Sequence, residues 1–127
     1  MKEAGLNKDL SKIRVRNLTR GTVVAEAADV ADSSATRRTG LLKHESLRPG
    51  EGLWIVPCEA VHTFGMKFDI DVLYLSKSKK VLKLRERMSK RRISACLRAH
   101  SVLELPSGMA QATSTVAGDQ LEFEKLI

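Results

Sequence analysis

Aromatic residues are scarce in this chain: one Trp, one Tyr and three Phe among 127 residues. None of them lies between Lys77 and Arg98, the most basic part of the sequence. Sequence-tolerant binding of single strands needs rings on which bases stack, so that segment offers charge without a stacking platform. The two cysteines, Cys58 and Cys96, are too few for a disulfide framework and are expected as separate free thiols. No apolar run approaches the roughly 20 residues of a membrane-spanning helix. The first ten residues carry no apolar stretch of the export-signal kind. The expectation is a soluble, cytoplasmic protein with no membrane partner. There are no internal repeats and no low-complexity tract. No zinc-finger, helix-turn-helix or ribonucleoprotein pattern is present, so a dedicated nucleic-acid reader is not expected.

Acidic residues are outnumbered: 15 Asp and Glu against 22 Lys and Arg, a net charge of +7. A field of that sign attracts polyanions at long range. The excess is concentrated in Lys77, Lys79, Lys80, Lys83, Arg85, Arg87, Lys90, Arg91 and Arg92, opposed only by Glu86. Such a run reads first as a solvated face and second as a source of weak, non-specific phosphate contacts. Residues 85–92, with Met88 as their one apolar member, are expected to project as a basic loop or ridge outside the core. The C-terminal end, with Glu104, Asp119, Glu122 and Glu124, is mildly acidic.

The length suits one domain. Residues 1–12 read as a loose arm, and 13–127 as a single compact β-rich unit. Ile13–Leu18 alternates apolar and polar residues, Gly21 supplies a turn, and Thr22–Ala27 returns as the second strand of a hairpin. Asp32, Ser33 and Ser34 are candidate caps for a short helix running to about Leu42. Strand-like runs recur at 53–55, 68–75, 81–84, 100–105 and 121–124. A second short helix is expected over 109–116. Hairpins outnumber helical crossovers. The class is α+β and mainly β, a small bent or partly closed sheet with one or two short helices.

The chain is organised around Gly52–Leu75, which holds Trp54, Cys58, His62, Met66 and the acidic pair Asp69 and Asp71 between two strand-like ends. Asp71 lies between Ile70 and Val72, where a carboxylate must find partners. Those partners are an arginine or backbone N–H groups if its role is structural, and a ligand if it serves a site. His62 reads as structural or solvent-facing, with ligand or acid–base chemistry as the alternative. Cys58-x-x-x-His62 offers two ligands where a structural zinc needs four. No metal and no cofactor are expected. Trp54 reads as core more than as a ligand platform, and Met66 as a gap filler.

Three blocks carry a resemblance: Thr36-Arg-Arg-Thr-Gly-Leu-Leu42; Gly52-Leu-Trp-Ile through His62-Thr-Phe-Gly-Met-Lys-Phe-Asp-Ile-Asp-Val72; and Leu103-Glu-Leu-Pro-Ser-Gly108 followed by Gly118-Asp119. In this order and spacing the chain resembles the bacterial and archaeal family known as domain of unknown function 192. The resemblance implies a β-clam fold and no established activity. Asp69 departs from the family, many of whose members have Pro there. The family's arginine falls on Arg37 by spacing to Gly40, or on Arg38, which makes Arg37 the first expected partner of Asp71.

The leading functional reading is a non-enzymatic ligand-binding or accessory module. Its cleft would be walled by Arg37, Arg38, Trp54, His62, Met66 and Asp71. Two alternatives remain open: a small cofactor-free, hydrolase-like enzyme using Asp71 and His62, and a basic protein that associates non-specifically with RNA.

Overall fold

A computed structural model of the chain describes residues 11–126. The arm expected over 1–12 lies outside them except for its last two residues, and Lys12 already belongs to the first strand. Nine strands and two short helices follow in order among the described residues: β1 (Lys12–Asn17), β2 (Thr22–Ala31), α1 (Ser34–Thr39), β3 (Glu51–Ile55), β4 (Ala60–His62), β5 (Ile70–Leu75), β6 (Val81–Met88), β7 (Ile93–Ala95), β8 (Ser101–Pro106), α2 (Met109–Ala112) and β9 (Leu121–Lys125).

Seven strands form one sheet in the order β6-β5-β8-β3-β2-β1-β9, while β4 and β7 form a separate pair. The sheet curls into a half-barrel. At one end its outer strands approach: the Val81 amide donates to Asp119 O at 2.9 Å, and the Leu121 amide to Lys79 O at 3.0 Å. The expected class, α+β dominated by a bent sheet with two short helices, is the one observed. The β1–β2 hairpin pairs Asn17 with Thr22 across Gly21, whose φ of +71° suits a residue without Cβ. β5 pairs antiparallel with β6, Leu73 opposite Leu84.

The two faces of the sheet bury different side chains, as the period of two along a strand demands. One face collects Val15, Val24, Leu73, Leu75, Leu103 and Leu105, with Trp54 and Phe123 packed against them. The other collects Leu53, Ile55, Ile70, Val72, Tyr74 and Val102. That second face is covered by the excursions 32–50, 56–69 and 89–100, which bring Leu41, Val61 and Met66 onto it. β5 and β8 are buried on both sides along their whole length. β3 approaches β8 so closely that a Cβ on Gly52 would sit 3.0 Å from the Glu104 carbonyl oxygen.

Three local expectations are corrected. β2 runs on to Ala31 because its second half pairs with β3 in parallel, Val30 beside Trp54. The strand thus passes its expected end at Ala27, while α1 starts after Ser33, one of the expected caps, which caps it reciprocally with Thr36, and ends at Thr39, short of the expected Leu42. Residues 85–92 are not one external ridge: β6 continues to Met88, which pairs with Ile70 and is 1 % exposed. Pairing with the fully buried β5 overrides a local sequence that lacks apolar periodicity. Only residues 89–92 leave the sheet before β7. Finally, the stretch between the two strand-like ends of Gly52–Leu75 holds a strand of its own, β4, in which His62 stands opposite Ile93.

Candidate functional site

Asp71 is fully buried, and three backbone N–H groups hold it: Arg87 and Gly108 donate to Oδ1 at 2.8 and 3.2 Å, and Ala110 donates to Oδ2 at 2.8 Å. Arg37 is not its partner. That side chain reaches Pro57 O at 3.4 Å and Ser34 Oγ at 3.5 Å, both long contacts. Asp71 instead ties the end of β6 to the start of α2. A carboxylate satisfied by amides has no need of an arginine.

Trp54 is half-buried, packed edge to face on Phe123 with ring centroids 4.8 Å apart, and the Lys79 ammonium lies 5.2 Å from its ring. Its register partner is Leu103, and that of Asp71 is Leu105. Trp54 and Asp71 thus share the sheet face of Leu103 and Leu105. They cannot wall a cleft on the opposite face.

Two cavities lie on that opposite face. A cavity of about 690 Å3 runs between α1, the segment after β3 (where the Val56–Pro57 bond is cis) and the chain entering β8. Ser34, Arg37, Arg38, Cys58, Ala60 and His100 are among its lining residues. A smaller cavity of about 80 Å3 shares Arg37, Arg38 and Ala60 with it and is lined further by Val61, His62, Met66 and Glu104. The structure therefore brings Arg37, Arg38, His62 and Met66 together and leaves out Trp54 and Asp71. His62 is exposed, its ring 5.9 Å from that of Phe64. It makes no hydrogen bond to a carboxylate among the described residues, and Asp71 faces the other side of the sheet. The structure does not bring these two residues together.

The residue absent from the expected set is Glu104. It stands in β8 opposite Leu53 and Val72, and is 5 % exposed. Its carboxylate takes part in no hydrogen bond or ion pair with the described residues. Burial pushes its carboxyl from the ordinary 4.5 up to about 7. The signal was in the sequence: Glu104 interrupts the apolar run Val102-Leu103-Glu104-Leu105 as Asp71 interrupts Ile70-Asp71-Val72. Around it, burial also raises the Cys58 thiol, whose Sγ donates to Ala60 O at 3.2 Å. That is the opposite of what activates a cysteine nucleophile. Arg37 Nε is buried without a hydrogen-bond partner.

The basic residues of the 77–92 segment do several different things. Lys83 Nζ donates to Ala95 O at 2.8 Å, and Arg87 Nη2 to Gln111 Oε1 at 2.8 Å. Lys79 covers Trp54 and Phe123. The remaining cations lie along β6 and the turns beside it. Among the described residues, no group of three or more His, Cys, Asp or Glu could hold a metal ion. No described helix is long and apolar enough to cross a membrane.

A curled seven-stranded half-barrel with two short helices and a charged cleft on one covered face defines a small mixed α+β domain. The chain belongs to the domain of unknown function 192 family, described as Uncharacterized ACR, whose model matches residues 15–123. Two crystal structures share the fold. A protein of Sinorhizobium meliloti 1021 described as a proposed transcription regulator superposes with a TM-score of 0.79 at 17% identity, over 97% of this chain and 98% of that one. A protein of unknown function from Novosphingobium aromaticivorans DSM 12444 gives 0.78 at 15% identity, over 95% and 93%. No curated protein matches the sequence.

Proposed function

We propose that this chain is a non-enzymatic binding module that takes a small molecule into the cleft beside α1. Glu104 carries the reading. Glu104 stands among Leu53 and Val72 with no hydrogen bond from the described residues, and burial disfavours its ionised form. That penalty falls when a donor arrives from outside, and the cavity that Glu104 lines opens toward Arg37, Arg38 and His62. Polar groups converging on a mostly apolar concavity are the usual form of a small-molecule site.

The test is a thermal-shift and calorimetric screen of small metabolites on wild type and on Ala60→Phe. Ala60 is exposed and lines both cavities, so a ring there fills the cleft without entering the core. Compounds are expected to stabilise wild type, to lose that effect in the variant, and to be recovered unchanged. Stabilisation that is equal in both proteins sinks the cleft, and consumption of the compound sinks the non-enzymatic assignment.

A further inference from the structure

The two adjoining cavities carry charges of both signs: Arg37 and Arg38 line both of them, and Glu104 lines only the smaller. The smaller has a volume of about 80 Å3. By the liquid volume of water, such a space holds two or three solvent-sized groups. That size suits an ammonium or amidinium head. Two arginines stand where this cavity meets the larger cleft. Arg37 has a buried Nε–H without an acceptor, and its other nitrogens make contacts of only 3.4 and 3.5 Å. Arg38 is exposed and takes part in no ion pair among the described residues. Among the described residues Glu104 thus accepts no hydrogen bond and neither arginine has an ion-pair partner, although the exposed Glu59 also lines the larger cavity.

A simple cation entering the cleft passes two guanidinium groups on a chain of net charge +7. A simple anion satisfies the arginines and leaves Glu104 as it was, or repels it. A molecule bearing both charges meets both needs at once. Its cation gives Glu104 a charge-assisted hydrogen bond in a low-dielectric setting, and its anion takes the planar fork that arginine presents to carboxylates and phosphates. Resting on the binding role proposed above, we infer that the cleft is built for a compact zwitterion, its ammonium or amidinium end on Glu104 and its carboxylate or phosphate end on Arg37 and Arg38.

Burial holds the Glu104 carboxyl near 7, and only its ionised form pairs with a cation. Affinity for the zwitterion therefore rises with pH, by roughly tenfold between about pH 6 and pH 8. An anion bound by a protonated Glu104 shows the reverse trend.

The experiment is an amide-resonance titration of the full chain with ω-amino acids of graded length, from glycine to 6-aminohexanoate. Butylamine and butanoate, each carrying one of the two charges, serve as comparison, and the readout is the signals of Ala60, Val61 and Glu104. At least one amino acid should bind about tenfold or more tightly than either single-charge probe and should tighten as pH rises. Glu104→Gln should abolish both the preference and the pH dependence. Arg38→Ala should weaken the amino acid and butanoate but not butylamine. If butanoate matches every amino acid and tightens as pH falls, the zwitterion inference is overturned and the cleft stands as an anion site. The inference also falls, with the binding role intact, if metabolites of other classes move these signals and no amino acid does. If nothing moves them, both fall.

Discussion

Replacing Glu104 by glutamine tests the centre of the site without any ligand. The carboxyl is displaced from 4.5 to about 7 by burial. Between those two values the folded protein keeps a proton that the unfolded chain has released. Stability therefore falls as pH rises through the window, and the loss is complete above about 7. At about 1.4 kcal/mol for each tenfold change in proton affinity, the full loss is roughly 3 kcal/mol. Gln is close in shape to the protonated acid and does not ionise. Wild type and E104Q should thus be nearly equal in stability near about pH 4.5, and the variant should be more stable by roughly 3 kcal/mol near about pH 8. For a chain of this length that is a difference of roughly 10 °C in melting temperature. The other shifted groups, among them His44, held low by burial, and Asp119, are present in both proteins and cancel in the difference. The assay is urea unfolding followed by circular dichroism at several pH values on the two proteins side by side. Parallel pH profiles would refute the reasoning. A variant less stable than wild type at the alkaline end would show that Glu104 has a partner in solution, with Arg37 and Arg38 the nearest candidates, and would remove the basis of the proposed site.

Two further outcomes follow from neighbouring groups. Asp71→Asn exchanges a carboxylate that accepts from three amides for a group with one acceptor oxygen, and should cost about 1–3 kcal/mol in a urea melt at neutral pH with the fold retained; an unchanged or raised midpoint would show that the amide cradle is not what Asp71 is for. Cys58 and Cys96 are free thiols, each half-buried. Both should react with a thiol reagent once the chain is unfolded. In the native protein Cys58, whose thiolate burial disfavours, should react slowly, and a rapid native reaction at Cys58 would contradict its placement.

Much of the fold was legible in the sequence. Alternation and turn chemistry located the β1–β2 hairpin, the pairing of β5 with β6, and the start of α2 after Gly108, because each depends on residues close in the chain, though the helix ends at Ala112 and not at Val116. The motifs spread over residues 36–119 placed the chain in its family. What was illegible depended on distant partners. Nothing near Ala28 or Arg85 announces that β2 will pair in parallel with β3, or that β6 will run to Met88 along a strand buried on both faces.

The candidate site divides in the same way. The sequence by itself determined that a carboxylate set in an apolar strand demands partners, that an arginine pair follows the first helix cap, and that the central stretch carries the polar groups. Only the tertiary structure decided which carboxylate is left without a partner. Asp71 and Glu104 have the same local context, yet their side chains leave the sheet on opposite faces. On one face, the start of α2 and the end of β6 supply amides to Asp71. On the other, the chain covering the sheet leaves a cavity beside Arg37, Arg38 and His62 and supplies no donor to Glu104. Partner supply is a property of what packs on each face of a sheet, and neighbours in the chain do not encode it.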